Sequence, residues 1–351
     1  IAELVSKRHE HKTKKCLRGY LNRRTADRPL DLEGHPSGGL VLHKIYEVNE
    51  RSDGPSAAQR EADERVEHGQ RDNAEPVQET PQKIPETFTV ELCFVTDNEY
   101  RNAFSTLDDM ITYFGTLLNA MVLRFADMQF PKISFQLNGV TVAERGELFV
   151  HEDGHVEITK TLQRLQNFIS DGKYEHCDVV LLLTRATLTK KVRTGYTRAN
   201  GAANAGAVCN ANRVAIAHDI PPSYNGLRTI AHEMGHMLGS VHDGADPAPN
   251  IPGHPGSHKC PWSDRYLMGE GQYGARKYQL SQCTKEQIQI IYKNLSSTCI
   301  QIQRSSNNSI KAYPGQGMSP VKFCNIVYEG AKEHKAISEY TKCQMKCCQK
   351  T

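Results

Sequence analysis

The sequence predicts an α/β fold in which a mixed, mostly parallel sheet packs against helices. Two segments rich in β-branched and aromatic residues alternate between apolar and polar positions, at 88–95 and 133–143. Segments with helical spacing of apolar residues follow each of them, at 99–127 and 156–171. A fully apolar run at 177–184 is typical of a central strand. Because strands and helices take turns along the chain, a parallel arrangement is favoured.

The second half of this region continues the pattern. A short apolar segment at 214–217 predicts another strand, and helices are predicted at about 223–238 and 284–296. Between them, residues 201–209 are mostly small and include two glycines. Such a composition fits either backbone held close to another chain segment or a plain glycine-rich loop. The residues alone leave both possibilities open.

Composition excludes several classes of function. The 351 residues allow one or two domains, and 38% hydrophobic and 24% charged residues are ordinary for a globular chain. A net charge of +3 is too small to indicate binding to nucleic acid or to an anionic membrane. No apolar run approaches the roughly 20 residues of a transmembrane span. The chain starts at Ile1 without a signal-peptide core, so we expect a processed or partial product.

A histidine motif, H-E-x-x-H-x-x-G-x-x-H, lies at the end of the third predicted helix. His232 and His236 are four residues apart, so a helix places both on one face, where they can hold one metal ion. Gly239 can adopt a positive φ, which ends the helix and lets His242 reach the same ion. Three neutral imidazoles leave a fourth position open, as in catalytic zinc sites. Glu233 lies next to that position. A core helix with histidines by chance is disfavoured, because the glycine and the third histidine are also in place.

The extended motif resembles that of the metzincin zinc metalloproteases, and Asp243 directly after it resembles the adamalysin (reprolysin) branch. Residues 266–269, Tyr-Leu-Met-Gly, resemble the Met-turn of the family, although the branch more often has cysteine where Tyr266 stands. The similarity covers about residues 88–299, and the cysteine-bearing tail is most similar to secreted salivary metalloproteases of ticks. The resemblance implies a metzincin-type catalytic domain with a long zinc-binding helix. It also implies a Met-turn at Met268, a bracing role for Asp243 and residues 201–209 as the antiparallel edge strand along the cleft.

The resemblance further implies an activity. Zn2+ would activate a water molecule, and Glu233 would take its proton and pass it to the leaving nitrogen of a peptide bond. We therefore expect a secreted, extracellular and monomeric metalloendopeptidase, made as a zymogen, with protein or peptide substrates. By analogy with secreted relatives, extracellular matrix proteins or fibrinogen are candidates. The second hypothesis is a catalytically latent or non-proteolytic binding protein that acts through the cysteine-rich tail; the presence of Glu233 disfavours it.

Cysteine usage favours disulfides in an oxidising compartment, because there are 11 cysteines and no C-x-x-C pair. The resemblance implies bonds between Cys209 and Cys299 and between Cys260 and Cys283. Neighbouring predicted strands suggest a third pair, Cys93 with Cys177. The odd cysteine is Cys16, interpreted as the partner of an upstream cysteine or a free thiol, with a latency switch on the zinc as the alternative. Four tail cysteines would form two bridges with three possible pairings, at 324, 343, 347 and 348.

Two carboxylates could belong to a calcium site. The family often binds Ca2+ near the chain ends of its catalytic domain, and Glu91 and Asp178 match its carboxylate positions. Ile302 stands where the family has asparagine, so a calcium site and a plain structural role both stay open.

Residues 51–86 lack the apolar content needed to offset ordering entropy, which predicts a disordered linker. The predicted divisions are a pro-segment remnant at 1–50, this linker, a catalytic domain at 87–301 and a short cysteine-rich tail at 302–351.

Overall fold

A computed structural model describes residues 2–11, 14–21, 84–270, 276–304, 310–316, 334–337 and 344–349, with only the backbone described for the four terminal strands. The strands are β1 (Ala2–His11), β2 (Lys14–Leu21), β3 (Thr87–Asp97), β4 (Lys132–Ala143), β5 (His151–Glu152), β6 (His155–Glu157), β7 (Val179–Thr184), β8 (Leu188–Val192), β9 (Gly195–Ala199), β10 (Gly201–Ala203), β11 (Val214–His218), β12 (His334–Ile337) and β13 (Gln344–Gln349). The α-helices are α1 (Asn98–Arg101), α2 (Leu107–Val122), α3 (Arg145–Leu148), α4 (Ile158–Phe168), α5 (Leu227–Met237), α6 (Gln282–Asn294) and α7 (Ser297–Ile300).

The main sheet has five strands in the order β10-β11-β7-β3-β4. Three of its pairings are parallel, and β10 pairs antiparallel with β11 at one edge. This arrangement confirms an α/β fold with a mixed, mostly parallel sheet. The apolar run predicted as a central strand is β7, the middle strand, and all six of its residues are buried. The predicted edge strand is shorter than expected, because only Gly201–Ala203 of 201–209 pair with β11.

Side chains from the two faces of this sheet form two cores. Leu181 and Leu183 pack on one face with helices α2 and α5, whereas Val180 and Leu182 pack on the other face with α4. The alternation follows from the two-residue period of a strand, and burial on both faces explains why β7 has no polar position before Thr184. The helix that carries the histidine motif therefore rests directly on the sheet.

The prediction of one long helix at 99–127 is wrong in its extent. The chain forms the short α1, leaves helical geometry at about 103–106 and starts again with α2. A capping box causes the restart: Thr106 Oγ1 accepts from Asp109 N (3.0 Å), and Asp109 Oδ2 accepts from Thr106 N (3.1 Å). Phe104 and Phe125 still contribute to the core, but from outside α2.

The second predicted helix, at 156–171, begins later than expected because residues 155–157 belong to a second sheet. This sheet has the order β5-β6-β8-β9 and comprises β-hairpins joined by a parallel pairing of β6 with β8. Glu157 ends β6 and caps α4, since its Oε2 accepts from Lys160 N at 2.7 Å. The sequence did not predict this sheet, because its strands are short and largely polar.

Helix α5 begins at Leu227 rather than at 223, and a buried carboxylate anchors its start. Asp219 Oδ1 accepts from Gly226 N (2.8 Å), while Oδ2 accepts from the hydroxyls of Tyr100 and Tyr113 (2.7 Å each). Asp219 is completely buried. An acceptor at the first turn satisfies an N–H that has no partner within the helix, which fixes the helix start against α1 and α2.

The two chain ends form a separate four-stranded sheet in the order β1-β2-β13-β12, with antiparallel pairings. The first residues contain few apolar positions without clear alternation, so the sequence predicts irregular structure there, and β1 and β2 show that this prediction is wrong. Residues 39–48, whose composition predicts a strand, the linker up to residue 83, and the side chains of Cys16 and of the tail cysteines lie outside the described residues. Among the described helices, none has the length and apolarity required to cross a bilayer.

Three disulfides join the described cysteines: Cys93–Cys177, Cys209–Cys299 and Cys260–Cys283. They are the pairs that the sequence analysis predicts. The first links β3 to the residues just before β7, and the second links the segment after β10 to α7. The third attaches the loop that precedes residues 266–269 to α6.

Candidate active site

Two histidines project from one face of α5 toward the cleft. His232 and His236 lie in the last two turns of the helix, and their ring centroids are 4.8 Å apart. Their Nδ1 atoms face backbone carbonyl oxygens, that of Leu267 for His232 (2.9 Å) and that of Ser240 for His236 (2.7 Å). A carbonyl only accepts, so each Nδ1 carries the proton and each Nε2 presents a lone pair.

The third histidine reaches the pair through a turn at Gly239. This residue has φ of +112°, and a Cβ added to it would lie 2.2 Å from Ile291 Cγ1, so both its conformation and its packing require glycine. Gly239 N donates to His236 O (2.8 Å) and ends the helix. His242 Nε2 then lies 3.1 Å from His232 Nε2 and 3.2 Å from His236 Nε2.

This donor set fits a zinc ion. Ligand nitrogens around a tetrahedral zinc with bonds of about 2 Å are roughly 3.3 Å apart, close to the observed spacing of the Nε2 atoms. Burial lowers the pKa of His236 to about 4 and that of His232 well below its usual value. The pKa of His242 is lowered by burial and by the charge of Lys190. Neutral imidazoles are the form that binds metal, and three lone pairs converging on one point need a cation between them.

The chain beneath the cluster is tied to the candidate Met-turn. Met268 is fully buried, and a Cβ added to Gly235 would lie 2.6 Å from its Sδ, so the sulfur packs directly under α5. Asp243 N donates to Met268 O (3.0 Å), and Asp243 Oδ1 accepts from Ser281 Oγ (2.6 Å). Burial raises the pKa of Asp243 to about 6. The residue after the third histidine therefore joins residues 266–269 to the start of α6, and its bracing role stays a prediction.

Glu233 lies beside the cluster at a pocket of about 270 Å³. Its side chain is 4% exposed, burial raises its pKa to about 8, and no hydrogen bond to its carboxylate exists among the described residues. A Cβ added to Gly201 would lie 2.5 Å from Glu233 Oε1, so the edge strand β10 passes directly over the carboxylate. Any larger residue at this position would require the side chains of Glu233 or Thr229 to shift. The arrangement brings a buried carboxylate, three histidines that could hold a metal ion and an edge strand together.

The predicted calcium carboxylates lie at another corner of the domain. Glu91 Oε1 accepts from Asn138 Nδ2 (2.5 Å) and Arg304 N (2.9 Å), and Oε2 accepts from Gln303 N (2.7 Å). Asp178 Oδ2 accepts from Glu91 N (2.8 Å), and burial raises the pKa of Asp178 to about 7. Calcium binds bare oxygen lone pairs. Because N–H donors already face both oxygens of Glu91, the residues as arranged do not fit a calcium ion.

Three further polar residues lie near the histidine cluster in the sequence or could compete with it as ligands. The proline- and glycine-rich segment around His254 favours a solvated loop residue, but His254 is buried: its Nε2 donates to Gly239 O (2.9 Å), and its Nδ1 accepts from Ala248 N (3.1 Å). It therefore supports the turn that delivers His242. His258 is exposed and pairs with Asp246 (2.8 Å). In a two-histidine site the third metal ligand is usually a downstream glutamate, for which Glu286 would be a candidate; it is not part of the histidine cluster and pairs with Lys259 (2.6 Å).

Sequence reasoning missed several residues at the site. Arg228, Thr229 and Trp262 line the pocket, and the ring centroid of Trp262 is 5.4 Å from that of His242. Gln287 Oε1 accepts from Val241 N (2.8 Å), which holds the segment leading to His242 against α6. Arg228 could have been found, because it lies four residues before His232 on the same helix face. Trp262 and Gln287 carry no such signal, since only folding brings their segments to the site.

Comparison with known proteins places the chain in a family. The profile of Reprolysin_5, metallo-peptidase family M12, matches residues 86–280, more than half of the chain. A venom metalloproteinase, antarease-like TtrivMP_A from Tityus trivittatus, is 26% identical over 81% of this chain and 74% of its own length. A protein named "A disintegrin and metalloproteinase with thrombospondin motifs like", from Bombyx mori, is 23% identical over 58% of this chain. The matched part is 32% of that relative's length.

The fold and the histidine cluster are those of a metallopeptidase. More specifically, the chain belongs to the M12 metallopeptidases, in the reprolysin (adamalysin) branch of the metzincins. Its similarity to tick salivary proteins stays a prediction.

Proposed function

We propose that the chain is a secreted zinc-dependent endopeptidase whose catalytic domain is 87–301. The observation that carries the proposal is the convergence of three Nε2 lone pairs, from His232, His236 and His242, beside the buried and unbonded carboxylate of Glu233. The named venom metalloproteinases among its relatives support secretion and action on proteins. Matrix proteins or fibrinogen are the first substrates to test.

The three histidines would hold the zinc ion, which when bound supplies Lewis-acid chemistry that polarises a carbonyl and acidifies water. Glu233 supplies the proton transfers: its carboxylate accepts a proton from the nucleophilic water and delivers it to the leaving nitrogen. β10 is an edge strand of the main sheet, and the edge that faces away from β11 can bind an extended substrate as an added strand. Such a substrate would carry the scissile bond past Glu233. Asp243 and Met268 would hold the ligand-bearing segments in place.

Bound metal distinguishes a three-histidine from a two-histidine site. We expect about one zinc per chain after dialysis, and His242→Ala should lose most of it, since two imidazoles hold zinc far less well than three. Glu286→Ala is the matched control and should keep its zinc. Trp262 is the only tryptophan and stacks edge-on with His242, so quenching of its fluorescence by Co2+ reports metal binding independently of activity.

Cleavage of an unstructured protein, with and without a chelator, then tests the activity. Chelation should abolish cleavage, and added zinc should restore it. Loss of zinc from the Glu286 variant with retention in the His242 variant would contradict the metal site. A wild-type protein that binds zinc but cleaves no unstructured substrate would contradict the endopeptidase assignment and favour a binding role.

A further inference from the structure

Helix α5 places a cation in the candidate active site, one turn before the first histidine of the motif. Arg228 and His232 are four residues apart, so they lie on the same face of the helix. Both side chains line the pocket beside Glu233. Among the described residues that line this pocket, Arg228 is the only lysine or arginine. The pocket therefore contains a positive charge close to the place where a peptide bond would be cleaved.

A backbone carbonyl holds the guanidinium of Arg228 in position. Arg228 Nη2 donates to Leu267 O (3.3 Å), the same oxygen that His232 Nδ1 faces at 2.9 Å. One carbonyl thus positions both the cation and the imidazole. The Arg228 side chain is half-buried, so water screens its charge less than at an exposed position. A guanidinium has five N–H donors in a planar fork, so it can donate to this carbonyl and to a carboxylate at the same time.

The same pocket contains one acidic side chain besides Glu233 among its described lining residues, that of Glu270. Glu270 is exposed and pairs with Arg265, which is exposed as well (3.7 Å). Solvent and the paired cation both weaken the repulsion between Glu270 and an acidic group of the substrate. The half-buried Arg228 should therefore decide which charge the pocket accepts.

We propose that Arg228 selects an acidic side chain, Asp or Glu, in the substrate residue next to the scissile bond. The inference rests on the proposed endopeptidase function and deepens it. The pocket also contains His232, His242 and Glu233, so a side chain that enters it belongs to a residue beside the bond that is cleaved. A carboxylate can accept two parallel hydrogen bonds from the guanidinium fork, whereas an amide offers one acceptor oxygen and no charge.

The test uses internally quenched peptides that share one cleavable core and differ only at the two residues that flank the scissile bond. Each of these positions carries Glu or Gln in turn, and mass spectrometry identifies the bond that is cleaved. For wild type, kcat/KM should be roughly 10- to 100-fold higher with Glu than with Gln at one of the two positions. This factor corresponds to the usual contribution of a hydrogen bond to a charged group.

Three variants then assign the preference to single side chains. In R228Q the Glu-to-Gln ratio should fall to about one. R228K keeps the charge but not the planar fork, so it should keep part of the preference. E270Q removes an exposed like charge and should raise the ratio by a factor of about 1.5 to 5.

The matched control is R164Q. Arg164 is exposed on α4, donates to the carbonyl oxygens of Gly146 (3.3 Å) and Phe149 (2.8 Å), and does not line the pocket. The variant therefore removes one arginine and its bonds to carbonyls without changing the site, and it should keep the wild-type ratio. Zinc content is measured for every variant. Because the ratio compares two substrates of one preparation, a partial loss of metal cancels out of it.

The outcomes separate the inference from the function on which it rests. Equal cleavage of the Glu and Gln peptides by wild type would overturn the inference and leave the endopeptidase intact. A Glu preference that R228Q retains would assign the selection to the bound metal ion and also contradict it. An equal loss in R164Q would show that overall charge steers the substrate instead. If R228Q loses its zinc, R228K and E270Q decide, and a ratio unchanged in both would refute the role of Arg228. Absence of any cleavage by wild type would overturn the proposed function and the inference with it.

Discussion

Two buried glutamates, Glu233 and Glu91, show how the same residue type takes different parts in one domain. Their exposures are almost equal, 4% and 1%. Glu91 accepts three hydrogen bonds from N–H donors, two of them from the backbone of residues 303 and 304. Glu233 accepts none from the described residues, and burial raises its pKa to about 8.

Burial alone therefore does not identify a functional carboxylate. A buried carboxylate surrounded by donors is stabilised in its charged form and holds segments together. A buried carboxylate without donors is costly, and such groups persist where they perform chemistry. On this criterion Glu91 holds residues 303 and 304 against β3, whereas Glu233 is the candidate for the proposed proton transfer beside the histidine cluster.

The largest expected effect separates the two glutamates by activity. Glu233→Gln keeps the shape of the side chain but removes the proton acceptor, so kcat/KM should fall roughly 10²- to 10⁴-fold. Bound zinc should be unchanged, because Glu233 is beside the ligands and not among them. Peptide cleavage and zinc content measured on the same preparation check both parts. If zinc and activity fall together, Glu233 holds metal and its assigned role is wrong.

The reciprocal change should affect stability and leave catalysis alone. Glu91→Gln replaces one acceptor oxygen by an NH2 group that faces N–H donors, so the free energy of unfolding should fall by about 1.5–3 kcal/mol. Urea unfolding of wild type and variant measures this loss. The kcat/KM per folded molecule should stay at the wild-type value. A variant with normal stability and reduced kcat/KM would place Glu91 in the catalytic machinery and remove the contrast.

The smallest effect is expected from calcium. A site with Kd of about 10⁻⁴–10⁻³ M would stabilise the fold by roughly 1.4–2.7 kcal/mol at 10 mM calcium, a shift of several degrees in Tm. Because N–H donors occupy the Glu91 oxygens, we expect a shift below about 1 °C, the same as with magnesium. A larger rise with calcium that disappears in Glu91→Gln would show that the carboxylate exchanges its donors for the ion.

Local patterns predicted most of the central sheet and the core of the site. The apolar runs of β7 and β11 and the alternation of β3 and β4 arise from burial on one or both faces, which any strand of this sheet must satisfy. His232 and His236 follow from the helical repeat, and the role of Gly239 follows from its lack of a Cβ. The restart at Thr106 could also have been predicted, since Thr106 and Asp109 have the spacing of a capping box.

Other features depend on contacts that no local pattern records. The second sheet consists of short polar strands that are stable only because β6 and β8 pair and pack over α4. The residues around His254 are those of a solvated loop. His254 is nevertheless buried, and its ring donates a hydrogen bond to Gly239 O. The neutral state of the histidines and the raised pKa of Glu233 come from the surrounding protein, not from the motif.

The sequence by itself determined the class of chemistry, because the spacing of three histidines, a glutamate and a glycine is a local geometric requirement of one helix and one turn. It also determined the mixed sheet, through periodic burial. Only the tertiary structure decided what surrounds that motif: two of the three donors on Glu91 come from 212 and 213 residues away, and the hairpin β8–β9 is held in place by Glu152 and Asp153. Interactions within a few residues are set by covalent geometry, whereas these depend on which distant segments the fold brings together.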